Sequence, residues 1–408
     1  MREAELFAVE REPRTLGHGG LTVLHDPLPG PLTAIAVAIR AGSRFDGRSP
    51  GIAHMTEHML FQGTTSMDQV ALNRRAGELG GEHDADTGHE DMTLHIEVFN
   101  DDFEDALALL AEQLFRSTVP EDGFAKERRV VIDEIRGRQE DPANALHEAA
   151  WRRFFGGPLA HPICGTIQSL RRMTPGCVRQ FLRRHFTPAN MVVAVVGGTP
   201  PERVRRAVRR LFPAHGPPRP RPPARPRHGT TGFLRFHRRD LAQTYLVRLA
   251  AAPSDPRTVL ALSLAVEIVG ADPDARLFQE IRERLGLGYD LGASVEHGSD
   301  WAVLVVSASA ARDHERRLRT TIERTCADAA QGFSQEEFDR ARAKVRYRFA
   351  RLADSRLERA IAHAGRAVCG HPSVAATARV LATLDRAEVE RAWRGTLAAP
   401  TLTAIMSG

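Results

Sequence analysis

The stretch Ile52-Ala53-His54-Met55-Thr56-Glu57-His58-Met59-Leu60 is an apolar, helix-compatible run interrupted by two imidazoles and a carboxylate in the order H-x-x-E-H. Read as a helix of about 3.6 residues per turn, it brings His54 and His58 onto one face about a turn apart, a spacing for gripping one metal ion. Glu57 stands beside His58, where a carboxylate can reach a metal-bound water without being a ligand itself, which makes it a candidate general base. Two histidines on a solvated helix would share this spacing. The reading therefore needs a third ligand and a carbonyl-polarising group elsewhere in the chain.

Composition sets the frame for that search. At 408 residues, with 42% hydrophobic and 26% charged residues, the chain suits two or more globular domains with ample cores. No apolar run approaches the roughly 18 residues a spanning helix requires, so no membrane role is expected. The first residues, Met1-Arg2-Glu3-Ala4-Glu5-Leu6, lack a signal-type apolar core, and a cytoplasmic, bacterial setting is the expectation. Cys164, Cys177, Cys326 and Cys369 are scattered without a C-x-x-C and read as small buried hydrophobes. Net charge is +5, but Lys126 and Lys344 are the only lysines and the arginines are spread along the chain. Without a basic and aromatic module, nucleic acid is not expected as a partner.

Working outward, 21–25 and 32–40 read as strands, the second a nearly continuous apolar run, followed by the H-x-x-E-H helix and a second helix over 67–79. Residues 82–98 read as extended, with Met92, Leu94, Ile96 and Val98 alternating against polar neighbours. Helices follow over 101–117, 120–139, 143–155 and up to 186, the last with Thr174 as N-cap and Pro175 at its first position. In the helix 120–139, Glu127 and Glu134 lie seven positions apart and so share a face, out of register by about 20°. Acids on a shared face are usually solvated, and one that points inward needs a cation. A strand at 191–196 and a helix at 199–211 close this half as a layered α+β domain. The proline-dense 213–229 reads as an extended linker. Beyond it the plan repeats: strands at 233–237 and 244–250, helices at 257–269 and 275–284, strands at 289–295 and 301–309, helices at 314–330, 334–369 and 386–397, and a strand at 402–406. The expected organisation is 1–212, linker 213–229, and 230–408 as two homologous α+β halves, each an antiparallel-rich sheet packed by helices.

These residues resemble the pitrilysin-type zinc peptidases, the inverzincins, in their processing-peptidase-like branch. The resemblance runs through Ala41-Gly42-Ser43-Arg44, the segment from Gly51 to Thr64, Gly80-Gly81, and Glu127-Arg128-Arg129-Val130-Val131-Ile132-Asp133-Glu134-Ile135. It implies that Glu134 completes a zinc site with His54 and His58, one Zn²⁺ per chain, and that Glu127 is a supporting acid; a solvated helix residue is the other reading of Glu127. An independent match, Arg276-Leu277-Phe278-Gln279-Glu280-Ile281-Arg282-Glu283-Arg284-Leu285-Gly286-Leu287-Gly288-Tyr289, implies that Arg282 and Tyr289 aid substrate binding and turnover as donors to a peptide carbonyl or its oxyanion.

The resemblance further implies a zinc endopeptidase acting on peptides or unfolded segments, leader and precursor peptides included. Substrate would lie extended against an edge strand at Asp84-Ala85. Pairing of two chains is implied, a homodimer or a heterodimer with a related chain. The rival reading is a non-catalytic scaffold or partner subunit. The chain departs from the family pattern at Asp84, where the family has Asn, at Met92-Thr93-Leu94 in place of Thr-x-Tyr, and at Asp272-Pro273-Asp274-Ala275 in place of a glycine-rich, serine-bearing entry. These departures bear on substrate choice rather than on zinc.

Overall fold

The computed structural model describes residues 12–270, 272–288 and 290–408. In the first half of the sequence the strands are β1 (Arg14–Thr15), β2 (Thr22–Pro27), β3 (Leu32–Ile39), β4 (His83–Thr87), β5 (Met92–Phe99), β6 (Phe155–Gly156) and β7 (Met191–Gly197). In the second they are β8 (Arg227–His228), β9 (Gly232–His237), β10 (Gln243–Ala252), β11 (Leu291–His297), β12 (Ala302–Ala311) and β13 (Thr401–Ser407).

They build a six-stranded sheet in the order β1-β2-β7-β3-β5-β4 and a five-stranded sheet in the order β11-β12-β10-β13-β9, while β6 and β8 pair separately. The expected duplication is visible in the pairing. β2 runs parallel to β7, and from there β3, β5 and β4 add antiparallel; β9 runs parallel to β13, and β10, β12 and β11 add antiparallel in the same sequence.

Strand periodicity explains how each sheet is covered. In β3, Ile35, Val37 and Ile39 face one core with the helices Phe103–Arg116 and Pro201–Leu211, whereas Ala34, Ala36 and Ala38 face a second core with the helix Arg356–Cys369. The alanines leave room for that helix to lie close on the sheet. In β13, Ile405 faces one core, and Leu402, Ala404 and Met406 face the helix Pro142–Phe154 through Trp151 and Phe154. The central strands of both sheets are therefore buried on two sides, as apolar runs predict, whereas β9 stays largely exposed.

The expected two-segment division needs correction. One compact unit comprises residues 12–136, His161–Ala224 and Ala350–Ala376; the other comprises Gly137–Ala160, Arg225–Phe349 and Thr377–Gly408. The helix Pro142–Phe154 thus belongs with the second sheet and Arg356–Cys369 with the first. An apolar helix face demands a sheet, but its pattern does not say which.

Other expectations shift locally. The single helix expected over 334–369 is two, Gln335–Asp354 and Arg356–Cys369, because Ser355 turns extended and caps the second through Glu358 N–H at 3.2 Å. The extended 82–98 is a β4–β5 hairpin. The second helix starts at Gln69, capped by Asp68 on Ala71 N–H at 2.8 Å. A helix Val374–Thr383 goes unread in the sequence. Thr174 holds the N-cap position, yet its hydroxyl makes no capping bond. Cys326 and Cys369 are buried as expected, whereas Cys164 and Cys177 are only half-buried.

Candidate active site

The H-x-x-E-H segment forms the helix Ile52–Met59. It starts abruptly because Gly51 adopts φ 87°, a conformation that favours glycine, and because a Cβ there would meet Cys164 O at 2.6 Å. Asp46 takes up the first helical N–H groups, accepting from Gly51 at 2.6 Å and Ala53 at 3.0 Å. Burial holds the Asp46 carboxyl well above the usual range, against the two backbone donors. Ile52, Ala53, Met55 and Met59 anchor one helix face in the core. That leaves His54, Glu57 and His58 together on the half-buried face, the imidazole centroids 4.7 Å apart.

Glu134, on the helix Glu121–Glu140, meets them: its Oε2 is 3.8 Å from His54 Nε2 and its Oε1 is 3.7 Å from His58 Nε2. The ligand atoms of these three residues all lie within 4.8 Å of one another. Tetrahedral zinc with bonds near 2.0–2.1 Å requires ligand atoms roughly 3.3–3.4 Å apart. The two imidazole–carboxylate gaps lie within about half an ångström of that requirement, so a set of two imidazoles and one carboxylate fits zinc here.

The supporting groups are specific. Glu127, buried on the same helix as Glu134, accepts from His58 Nδ1 at 2.9 Å through Oε2 and from Gln62 Nε2 at 2.9 Å through Oε1. A proton held on Nδ1 leaves the Nε2 lone pair directed at the metal position. Glu127 is thus buried and paired rather than a solvated helix residue. Glu57 accepts a short hydrogen bond from the Thr87 hydroxyl at the end of β4. Burial pushes the Glu57 carboxyl up to about 7, opposed by the Thr87 bond and by His58, with Asp86 and Asp84 adding to the rise. Burial therefore poises it near neutrality, as suits a group that takes and returns a proton.

β4 ends its sheet and carries Asp84, exposed, and Ala85, buried. The Ala85 N–H is turned from the ladder to the Asp84 carboxylate at 2.8 Å. Arg282 lies in the second unit, in a π-helical turn Gln279–Arg284, with its guanidinium 5.0 Å from the Phe278 ring centroid. Tyr289 lies outside the described residues. Sequence reasoning missed Thr87, Gln62 and Asp46, whose roles depend on contacts between distant segments, and it missed that Cys164 Sγ lies 4.0 Å from His54 Nε2. In the second unit, the helix Pro256–Val269 follows β10 as the H-x-x-E-H helix follows β3, but it carries no histidine.

Comparison with known proteins places the fold and the family. A family model described as Insulinase (Peptidase family M16) matches residues 22–166, and one described as Peptidase M16 inactive domain matches residues 172–345. Similar proteins include an uncharacterized zinc protease of Rickettsia bellii, 30% identical over 334 residues and covering 80% of each chain. An uncharacterized zinc protease of Mycobacterium leprae is 32% identical over 305 residues, covering 72% of this chain and 68% of that one. Among solved structures, a protease from Helicobacter pylori superimposes with a TM-score of 0.90 at 19% identity over 98% of this chain and 100% of that one. A peptidase M16 inactive domain from Pseudomonas fluorescens does so with 0.88 at 18% identity, over 97% and 98%. Among the described residues no helix is long and apolar enough to cross a membrane. With its fold and both halves matched, the chain belongs to peptidase family M16, the pitrilysin-type family of protease-like proteins.

Proposed function

We propose that this chain is a zinc-dependent endopeptidase cleaving peptides or unfolded segments. The observation that carries the reading is the convergence of His54 Nε2, His58 Nε2 and Glu134 on one point beside the Glu57 carboxylate. His54, His58 and Glu134 would hold Zn²⁺, which when bound supplies a Lewis acid and lowers the pKa of a water.

The chain's own groups do the rest. Glu57 accepts the water's proton and returns it to the leaving amine, held in place by the Thr87 hydroxyl. Glu127 keeps His58 in the ligating tautomer. The outer edge of β4 offers Ala85 backbone to an extended peptide, which favours unfolded substrates over compact ones. Donor roles for Arg282 and Tyr289, and pairing with a second copy or a related chain, enter through the family resemblance.

The test combines metal content with cleavage of a quenched peptide pool mapped by mass spectrometry. The purified chain should carry about one zinc and cleave, and Glu57→Gln should keep the metal while losing about 10²–10⁴-fold in turnover. A metal-free, inert protein would make the chain a scaffold instead.

A further inference from the structure

The two units repeat one strand order, yet they differ at one face. In the first unit the helix Pro201–Leu211 follows β7 and lays Val204, Ala207 and Val208 into the core, covering β2. Val23 and His25 on that face of β2 are accordingly 1% and 0% exposed. In the second unit β9 and β13 stand in the places of β2 and β7. On β2, Val23 pairs with Val193 and His25 with Val195; on β9, Phe233 pairs with Thr403 and Arg235 with Ile405. Phe233 is 48% exposed, and the Arg235 side chain is 51% exposed.

What remains is an open groove of about 840 Å³ between β9, β13 and the helix Glu315–Ala329. Its charge is one-sided. Arg235 is held by Glu315 at 2.7 and 2.5 Å, and Arg319 by Glu323 at 3.0 Å. Arg248 reaches only the Thr403 hydroxyl, at 3.4 Å, and Arg316 has no carboxylate partner among the described residues. Arg248 and Arg316 thus line the groove without a carboxylate partner among the described residues, while the centroid of the exposed Phe233 ring lies 5.7 and 5.8 Å from the Arg235 and Arg319 guanidinium carbons. In the first unit the signs run the other way: Arg203 and Arg210 of the covering helix dock on Glu104 of the helix beneath, at 3.3 and 2.7 Å.

We propose that this groove docks an acidic amphipathic helix of a partner protein, seated where Pro201–Leu211 sits in the first unit, with the charge pattern reversed. An apolar stripe on the partner would cover Phe233, and its glutamates would face Arg316 and Arg248. The proposal is independent of peptidase activity.

The test uses the full chain carrying Glu57→Gln, so that a probe is not consumed, and two fluorescein-labelled amphipathic peptides of about 14 residues sharing one Leu/Ala face, one flanked by Glu and one by Lys. Fluorescence anisotropy should show the Glu peptide binding and the Lys peptide not. Arg316→Glu, at an exposed site, should weaken the Glu peptide about tenfold and admit the Lys peptide. Phe233→Ser should weaken the Glu peptide with circular dichroism of the protein unchanged. Equal binding of the two peptides, indifference to Arg316→Glu, or full displacement by a DNA duplex or by anionic phosphatidylserine vesicles would overturn the proposal.

Discussion

Replacing Glu127 by alanine should weaken zinc binding without unfolding the site. Glu127 Oε2 accepts from His58 Nδ1 and Oε1 from Gln62 Nε2, both at 2.9 Å, inside a buried pocket. Removing the carboxylate frees His58 to place its proton on Nε2, the atom 3.7 Å from Glu134 that must carry the lone pair. Loss of such an outer partner costs about 10- to 100-fold in metal affinity, or roughly 1.4–2.8 kcal/mol. Glu127→Gln keeps an acceptor for Nδ1 but loses the charge, so it should fall at the small end, and Glu127→Ala at the large end. Competition of the apo protein against a fluorescent zinc chelator measures both, with thermal melting as the control for folding. If Glu127→Ala bound zinc within about twofold of wild type while melting normally, the positioning role would be refuted, and Glu127 would be a structural acid of the helix.

Two further outcomes follow from buried and edge polar groups. The Asp84 carboxylate occupies the Ala85 N–H at 2.8 Å, so Asp84→Ala should free that donor for a substrate carbonyl and lower KM by about 2- to 10-fold with kcat little changed; an unaltered KM would remove the β4 edge from the substrate path. Asp26, buried, accepts from Arg359 at 2.7 Å and from His363 at 3.0 Å. Burial raises its carboxyl, but the His363 and Arg359 interactions outweigh that and hold it below the usual range. The resulting stability is complete above the ordinary carboxylate range and lost as pH falls through the depressed folded value. Asp26→Asn should therefore cost about 3–5 kcal/mol at neutral pH and flatten the acid limb of urea midpoints against pH; an unchanged acid limb would acquit this cluster.

Much of the site was legible because its parts are local. His54, Glu57 and His58 are set by helical spacing within one short segment, and Glu127 and Glu134 share a helix face two turns apart. Their meeting was not legible from spacing; the family resemblance supplied Glu134, which lies 3.8 and 3.7 Å from the two imidazoles. Thr87 and Gln62 escaped notice because a hydroxyl or an amide carries no periodic signal, and their partners lie thirty or more positions away.

By itself the sequence determined most of the elements and their repeated order. Runs such as 32–40 and 191–196 bury both faces of a strand wherever they fall, and an H-x-x-E-H helix presents its two histidines together in any fold. Only the tertiary structure decided which sheet each helix covers. Arg356–Cys369 packs through Ala360 and Ala364 on the alanines of β3, and Pro142–Phe154 packs through Trp151 and Phe154 on β13, matches between surfaces that no single segment encodes. It also decided the proton's place on His58, since a tautomer is chosen by the carboxylate it meets.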